Sequence, residues 1–149
     1  MSYIDTSVIV AALDPQDPRL EKARALLEGE ENKIISEIAL AELASIVARR
    51  EEITSSIASK LGLSREEAVV VILLYILSRF NLRYKSVEST ARLPLLGRVY
   101  RPIATAVELA PRVKLRTLDL LHVAYAKLMK DGGEPIRKLV TADRGFEKV

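Results

Sequence analysis

The sequence predicts an α/β protein with a short, mostly parallel central sheet flanked by helices. Short apolar segments of strand character alternate with longer stretches of helical periodicity. The connections between successive strands are too long for hairpins, which points to crossovers through helices and hence to parallel pairing. A mix of 49% apolar and 29% charged residues is that of one folded globular unit. At 149 residues, a single domain over 1–149 is expected to bury roughly 68 to 70% of its unfolded surface, enough to dispense with cross-links. The absence of Cys and the single His exclude disulfide frameworks, thiol nucleophiles and Cys/His zinc patterns. The longest apolar run, 68–77, covers about half of the roughly 20 residues a bilayer requires, and the opening residues lack a basic and then apolar leader. A soluble, cytoplasmic protein with no membrane contact is expected.

Residues 2–4 read as a first strand, closed by Asp5-Thr6-Ser7, a polar turn that opens a helix. Asp14-Pro15-Gln16-Asp17-Pro18 is a turn cluster, after which Leu20, Ala23, Leu26 and Leu27 keep helical spacing to Gly29. Residues 33–36 form a second strand, and 39–49 a helix with Leu40, Leu43 and Val47 on one face. Another helical piece reaches Lys60 and stops at Gly62. Ser64 and Glu67 form a capping box that opens a helix ending near Phe80. Because 68–77 is apolar on every side, this helix must be covered on more than one face, by its own domain or by a second subunit.

Residues 82–87 alternate as a third strand. Pro102 suits the first turn of a helix reaching Ala110, with Ile103 and Val107 buried and Pro111 ending it. Thr117 is expected to cap the next helix, with Leu118, Leu121, Tyr125 and Leu128 as its apolar stripe and Gly132-Gly133 as its stop. Residues 138–142 form a last strand, closed by Asp143-Arg144-Gly145.

Net charge is +3, but residues 1–75 carry −5 and residues 76–149 carry +8. Between Arg79 and Arg116, nine basic residues face only Glu88 and Glu108. That asymmetry suits an anionic partner, and equally a helical surface neutralised by the acidic first half.

Asp is used sparingly, and three of the six, Asp14, Asp17 and Asp131, lie in turns beside Pro or Gly. Asp5 and Asp143 each directly follow a predicted strand, and Asp119 lies in the first turn of a helix. Ligands of open parallel sheets bind outside the carboxyl ends of the strands, so these carboxylates can share one crevice. Each also has a purely local role open to it: Asp5 as a cap, Asp119 facing the helix dipole, Asp143 shaping a turn. Glu42 sits on a helix with little polar surface and wants a partner, which Arg49 or Arg50 could supply. Four carboxylates converging with no His or Cys nearby repel one another unless a cation lies among them, and all-oxygen ligation selects Mg²⁺ or Mn²⁺.

Four segments carry a family resemblance. Tyr3-Ile4-Asp5-Thr6-Ser7, the stretch from Ile35 to Leu43 containing Glu42, the stretch from Leu118 to Ala126 containing Asp119, and the stretch from Leu139 to Phe146 containing Asp143 resemble, in order, the motifs of the PIN-domain ribonucleases. Within that family the chain is similar to the small VapC-type toxins. The resemblance implies a Rossmann-like PIN fold and an Mg²⁺- or Mn²⁺-dependent endoribonuclease. Asp5, Glu42, Asp119 and Asp143 would be its catalytic, metal-binding acids, and Ser7 and Thr141 its supporting hydroxyls. It further implies RNA as substrate, a cognate antitoxin as partner and a homodimer. The all-round apolar helix over 64–80, in a middle region longer than a minimal member needs, is expected to take part in that dimer interface.

Arg112, Lys114 and Arg116, with Arg144 and Arg49 or Arg50, are candidate phosphate contacts. His122, three residues after Asp119, reads as a packed or surface histidine that could also reach a phosphate. A phosphatase using Asp5 as nucleophile fits less well, since Ser7 stands where a second Asp is wanted. A non-catalytic PIN-like binding module, or an RNA-processing nuclease outside a toxin pair, are the other readings.

Overall fold

The computed structural model describes residues 1–142. The elements run β1 (Ser2–Ile4), α1 (Thr6–Leu13), α2 (Leu20–Glu28), β2 (Lys33–Ser36), α3 (Glu37–Ala48), α4 (Glu51–Leu61), α5 (Arg65–Arg79) and β3 (Leu82–Lys85). They continue with β4 (Thr90–Leu93), β5 (Gly97–Tyr100), α6 (Arg101–Val113), α7 (Thr117–Asp131) and β6 (Lys138–Val140). The central sheet has the order β3-β2-β1-β6, with every pair parallel. The chain lays strands outward from β1 to β3 and then returns to the other side of β1. The β1/β6 boundary is therefore the point where strand order reverses, which is where such sheets bind ligands.

Strand alternation divides the core between two sheet faces. Ile4 and Ile35 pack with Val8, Ile9, Leu27, Leu43, Ile76 and Phe80 on one side, while Tyr3 and Ile34 pack with Tyr125, Met129 and Ile136 on the other. Neighbours in sequence thus serve opposite layers, and β1 and β2 are buried at every position. Ser64 and Glu67 form the capping box at the start of α5, with both hydrogen bonds made at 3.1 Å. Gly62 ends α4 in the left-handed conformation that favours glycine. Among the described residues no helix is long and apolar enough to cross a membrane.

Four details differ from the sequence reading. Residues 90–100 form an antiparallel hairpin, β4–β5, apart from the main sheet. Its strands are short and carry one apolar face only, so they lack the continuous apolar signal of β1 and β2. Helix α6 runs on through Pro111 to Val113. The lost hydrogen bond falls on the Val107 carbonyl, at an exposed position, and the Lys114 N–H closes the last turn on Ala110. Ile103 and Val107 lie on the exposed side of α6, whose buried positions are Pro102, Ala104, Thr105 and Ala106. In α7, Arg116 rather than Thr117 is the N-cap, and the buried face is His122, Ala124, Tyr125 and Met129, with Leu118 exposed. The helix is rotated from the expected stripe because it packs on Tyr3 and Ile34.

Candidate active site

Asp5 ends β1 and precedes α1, at the switch point. Its backbone N–H bonds to the Val140 carbonyl at 3.0 Å, tying the carboxyl ends of β1 and β6 together. Although Asp5 stands at the N-cap of α1, its side chain makes no capping bond. It accepts instead from the Ser7 hydroxyl at 2.7 Å and from the Thr141 hydroxyl at 2.8 Å, both on Oδ2. Ser7 Oγ in turn accepts the Ala142 N–H at 3.0 Å. Ser7 and Thr141 thus aim the carboxylate, and Asp5 is only 4% exposed.

Glu42 reaches the same place from α3. Its Oε1 accepts from Thr6 Oγ1 at 2.9 Å and lies 2.6 Å from His122 Nε2. Arg49, offered by the sequence as its partner, is exposed and donates to the Ser45 carbonyl of its own helix. Burial pushes the Glu42 carboxyl up, but the hydrogen bonds from His122 and the Thr6 hydroxyl outweigh it and leave the group below the usual carboxylate range.

His122 corrects the expectation that no histidine lies near the acids. It is packed, at 1% exposure, and what it packs against is the carboxylate pair: Nε2 is also 3.2 Å from Asp5 Oδ1. Its Nδ1 lies 2.6 Å from the Tyr3 hydroxyl, which lies 2.7 Å from Ser36 Oγ. A proton order that satisfies every member runs from Ser36 to Tyr3 to Nδ1, leaving the Nε2 proton for Glu42 and Asp5. Burial raises the Tyr3 phenol far above its ordinary value, so it serves as a neutral donor. The spacing Asp119, His122 was the available signal, since residues three apart share a helix face.

The ligand atoms of Asp5, Glu42 and His122 lie within 4.8 Å of one another. Asp5 and Glu42 offer hard oxygen donors of the kind that fit Mg²⁺ or Mn²⁺, with His122 Nε2 lying between them. Asp119 is half-buried in the first turn of α7, one turn before His122. Asp143 and Arg144 lie outside the described residues. Arg112, Lys114 and Arg116 are exposed where α6 passes into α7 and form no ion pair among the described residues.

The four-stranded parallel sheet is the fold the sequence anticipated, and of the four acids it expected, Asp5 and Glu42 meet at the switch point. The family model described as PIN domain matches residues 2–149, and the chain belongs to that family. Among solved structures, the chain is similar to VapC20 of Mycobacterium tuberculosis, a sarcin-ricin loop cleaving toxin. The two share 20% identity, with 99% of this chain and 93% of that one covered and a TM-score of 0.61. It is also similar to a chain of VapBC2 from Rickettsia felis, solved bound to a DNA fragment from their promoter. That match has 20% identity, 100% and 93% coverage, and a TM-score of 0.58. At that identity the likeness establishes the fold. No curated protein matches the chain.

Proposed function

We propose that this chain is a single PIN domain acting as an Mg²⁺- or Mn²⁺-dependent endoribonuclease, the toxin of a VapBC-type pair. The observation that carries the reading is the convergence of Asp5 and Glu42 at the β1/β6 switch point, each oriented by neighbouring hydroxyls. Asp5, Glu42, Asp119 and Asp143 would hold the ion. When bound, such an ion acidifies water and stabilises the departing oxygen of a phosphodiester.

The chain's own residues set up that chemistry. Ser7 and Thr141 fix one oxygen of Asp5, and Thr6 fixes one of Glu42, so neither carboxylate must reorganise when a substrate arrives. His122 holds a proton at Nε2 between the two acids, and Tyr3 sets the tautomer by engaging Nδ1. Arg112, Lys114 and Arg116 lead directly into α7 and would draw RNA phosphates toward Asp119, with Arg49 and Arg144 as further contacts.

The partners follow the same reading. A toxin needs an antitoxin, and the VapBC2 structure is of such a pair. Helix α5 leaves Val70, Leu74 and Tyr75 exposed, an apolar face suited to a second copy of the chain in a homodimer. Sedimentation at micromolar concentration should show a dimer, and a monomer would remove this part of the reading.

The decisive test incubates purified protein with total RNA and Mn²⁺ and maps the new ends by sequencing. Discrete cleavage should appear, vanish in EDTA, and fall at least about 100-fold in Asp119→Asn, the scale of losing a principal transition-state interaction. Intact RNA throughout, with no Mn²⁺ binding by calorimetry, would favour a non-catalytic PIN module.

A further inference from the structure

The nine basic residues between Arg79 and Arg116 divide cleanly in the fold. Arg79 pairs with Glu28, and Arg83 and Lys85 reach Glu134. Arg101 is spent on the hairpin's own base, donating to Ser89 Oγ at 2.7 Å and the Thr90 carbonyl at 2.9 Å. The other five, Arg92, Arg98, Arg112, Lys114 and Arg116, are exposed and have no acidic partner among the described residues. They form two groups at opposite ends of α6, whose 13 residues span about 20 Å. Folded RNA covers that distance, and a small anion does not.

The hairpin end is unusual in three respects. Arg92 and Arg98 are direct cross-strand partners, a like-charge juxtaposition that destabilises an antiparallel pair unless an anion meets it. Both stand on the exposed face, while Leu93, Ala91 and Val99 on the other face pack inward. At the tip, Leu95 has φ +68° directly after Pro94, a position where turns select Gly or Asn, and its side chain is fully exposed. Leu96 beside it is 74% exposed. Two bare leucines flanked by two unneutralised arginines suit a surface that carries both phosphates and an unpaired, unstacked base.

The hairpin is also tied to the site. Tyr100, at its base, donates to the Glu37 carboxylate, as does Tyr125 at 2.7 Å. Glu37 follows Ser36, which bonds Tyr3, and Tyr125 lies one turn beyond His122. From this geometry we propose that the β4–β5 hairpin is a substrate-selecting arm. Arg92 and Arg98 hold phosphates of a structured RNA, and Leu95 and Leu96 pack on a base of its single-stranded loop. The inference rests on the reading of the chain as a protein that acts on RNA.

Binding in EDTA tests it without cleavage, by fluorescence anisotropy with the full chain. The probes are a labelled RNA stem-loop and a blunt duplex of the same stem. Arg92→Gln with Arg98→Gln should weaken both RNAs about tenfold and lower the salt slope by nearly 2, the loss of two neutralised phosphates. Arg92→Lys with Arg98→Lys keeps the charge and should keep the slope. Leu95→Ser with Leu96→Ser should weaken the stem-loop about fivefold or more and leave the duplex unchanged, the scale of losing contact with one base. Unaltered binding of both RNAs by both the glutamine and serine variants overturns the proposal. So does unaltered RNA binding with lost self-association in sedimentation, which would make the hairpin a protein interface. The cleavage test is separate. A chain that cuts RNA while these variants bind normally refutes the arm alone, whereas hairpin-dependent binding without any cleavage refutes the nuclease and leaves the arm.

Discussion

The carboxyl edge of the parallel sheet and the β4–β5 hairpin use polar residues in opposite ways. At the sheet edge Asp5, Thr6, Ser36, Tyr3 and His122 are all buried, and each hydrogen-bonds another member of the group or its neighbours Ser7, Glu42 and Thr141. At the hairpin tip two arginines face one another with no acidic partner among the described residues, and two leucines lie bare. A buried polar group must find its partners within the fold, because the alternative is a desolvation penalty. An exposed one is left open to whatever arrives. The first region is pre-set for chemistry, and the second is shaped for contact.

The difference can be broken most severely from the core side. Ile35 is fully buried beneath the site's strands, and Ile35→Ala should destabilise by about 2 to 5 kcal/mol in urea denaturation. A loss under 1 kcal/mol would mean the sheet edge is not the rigid platform described. Next in size, Tyr3→Phe removes the partner of both Ser36 and His122 Nδ1 and should cost about 1 to 3 kcal/mol. Nitrogen NMR of His122 should show a changed tautomer, and an unchanged spectrum would detach Tyr3 from its orienting role.

Acid sharpens the same contrast. A carboxyl held low in the folded state, as Glu42 is, contributes stability that is present above its unfolded value of about 4.3 and is lost as pH falls through the folded one. In metal-free buffer, stability should therefore decline below about pH 4.3, and Glu42→Gln should flatten that decline. An equally steep acid limb in the variant would assign it to other groups. The smallest effect belongs to the hairpin: Leu95→Ser with Leu96→Ser should change stability by no more than about 0.5 kcal/mol. A larger loss would show that the tip is packed.

The sequence was most legible where one local interaction decides the outcome. The Ser64 and Glu67 box begins α5 because two backbone donors are satisfied within one turn, and Gly62 ends α4 because it alone takes a left-handed backbone without strain. Asp5 was legible for a related reason, since a carboxylate directly after a buried strand has few places to go. The faces of α6 and α7 were not, because apolar spacing alone allowed more than one rotation. Ile103, Val107 and Leu118 look like core residues, yet α6, which packs on α7 and the hairpin, buries the smaller Ala104 and Ala106, and α7 buries His122 and Tyr125.

His122 marks the boundary between the two kinds of knowledge. Alone, it is one polar residue on a helix, and nothing local distinguishes a packed histidine from a surface one. The strand alternation that sends Tyr3 to the α7 face, together with the approach of α3 and Glu42 from another side, makes it the center of the site. The sequence by itself determined most of the alternation of strands and helices, the stop at Gly62, the cap at Ser64 and the place of Asp5 after β1, because each follows from contacts a few residues apart. Tertiary structure alone decided strand order, helix rotation and the partners of Glu42, because those contacts join residues 33 to 136 positions apart and depend on how whole elements pack.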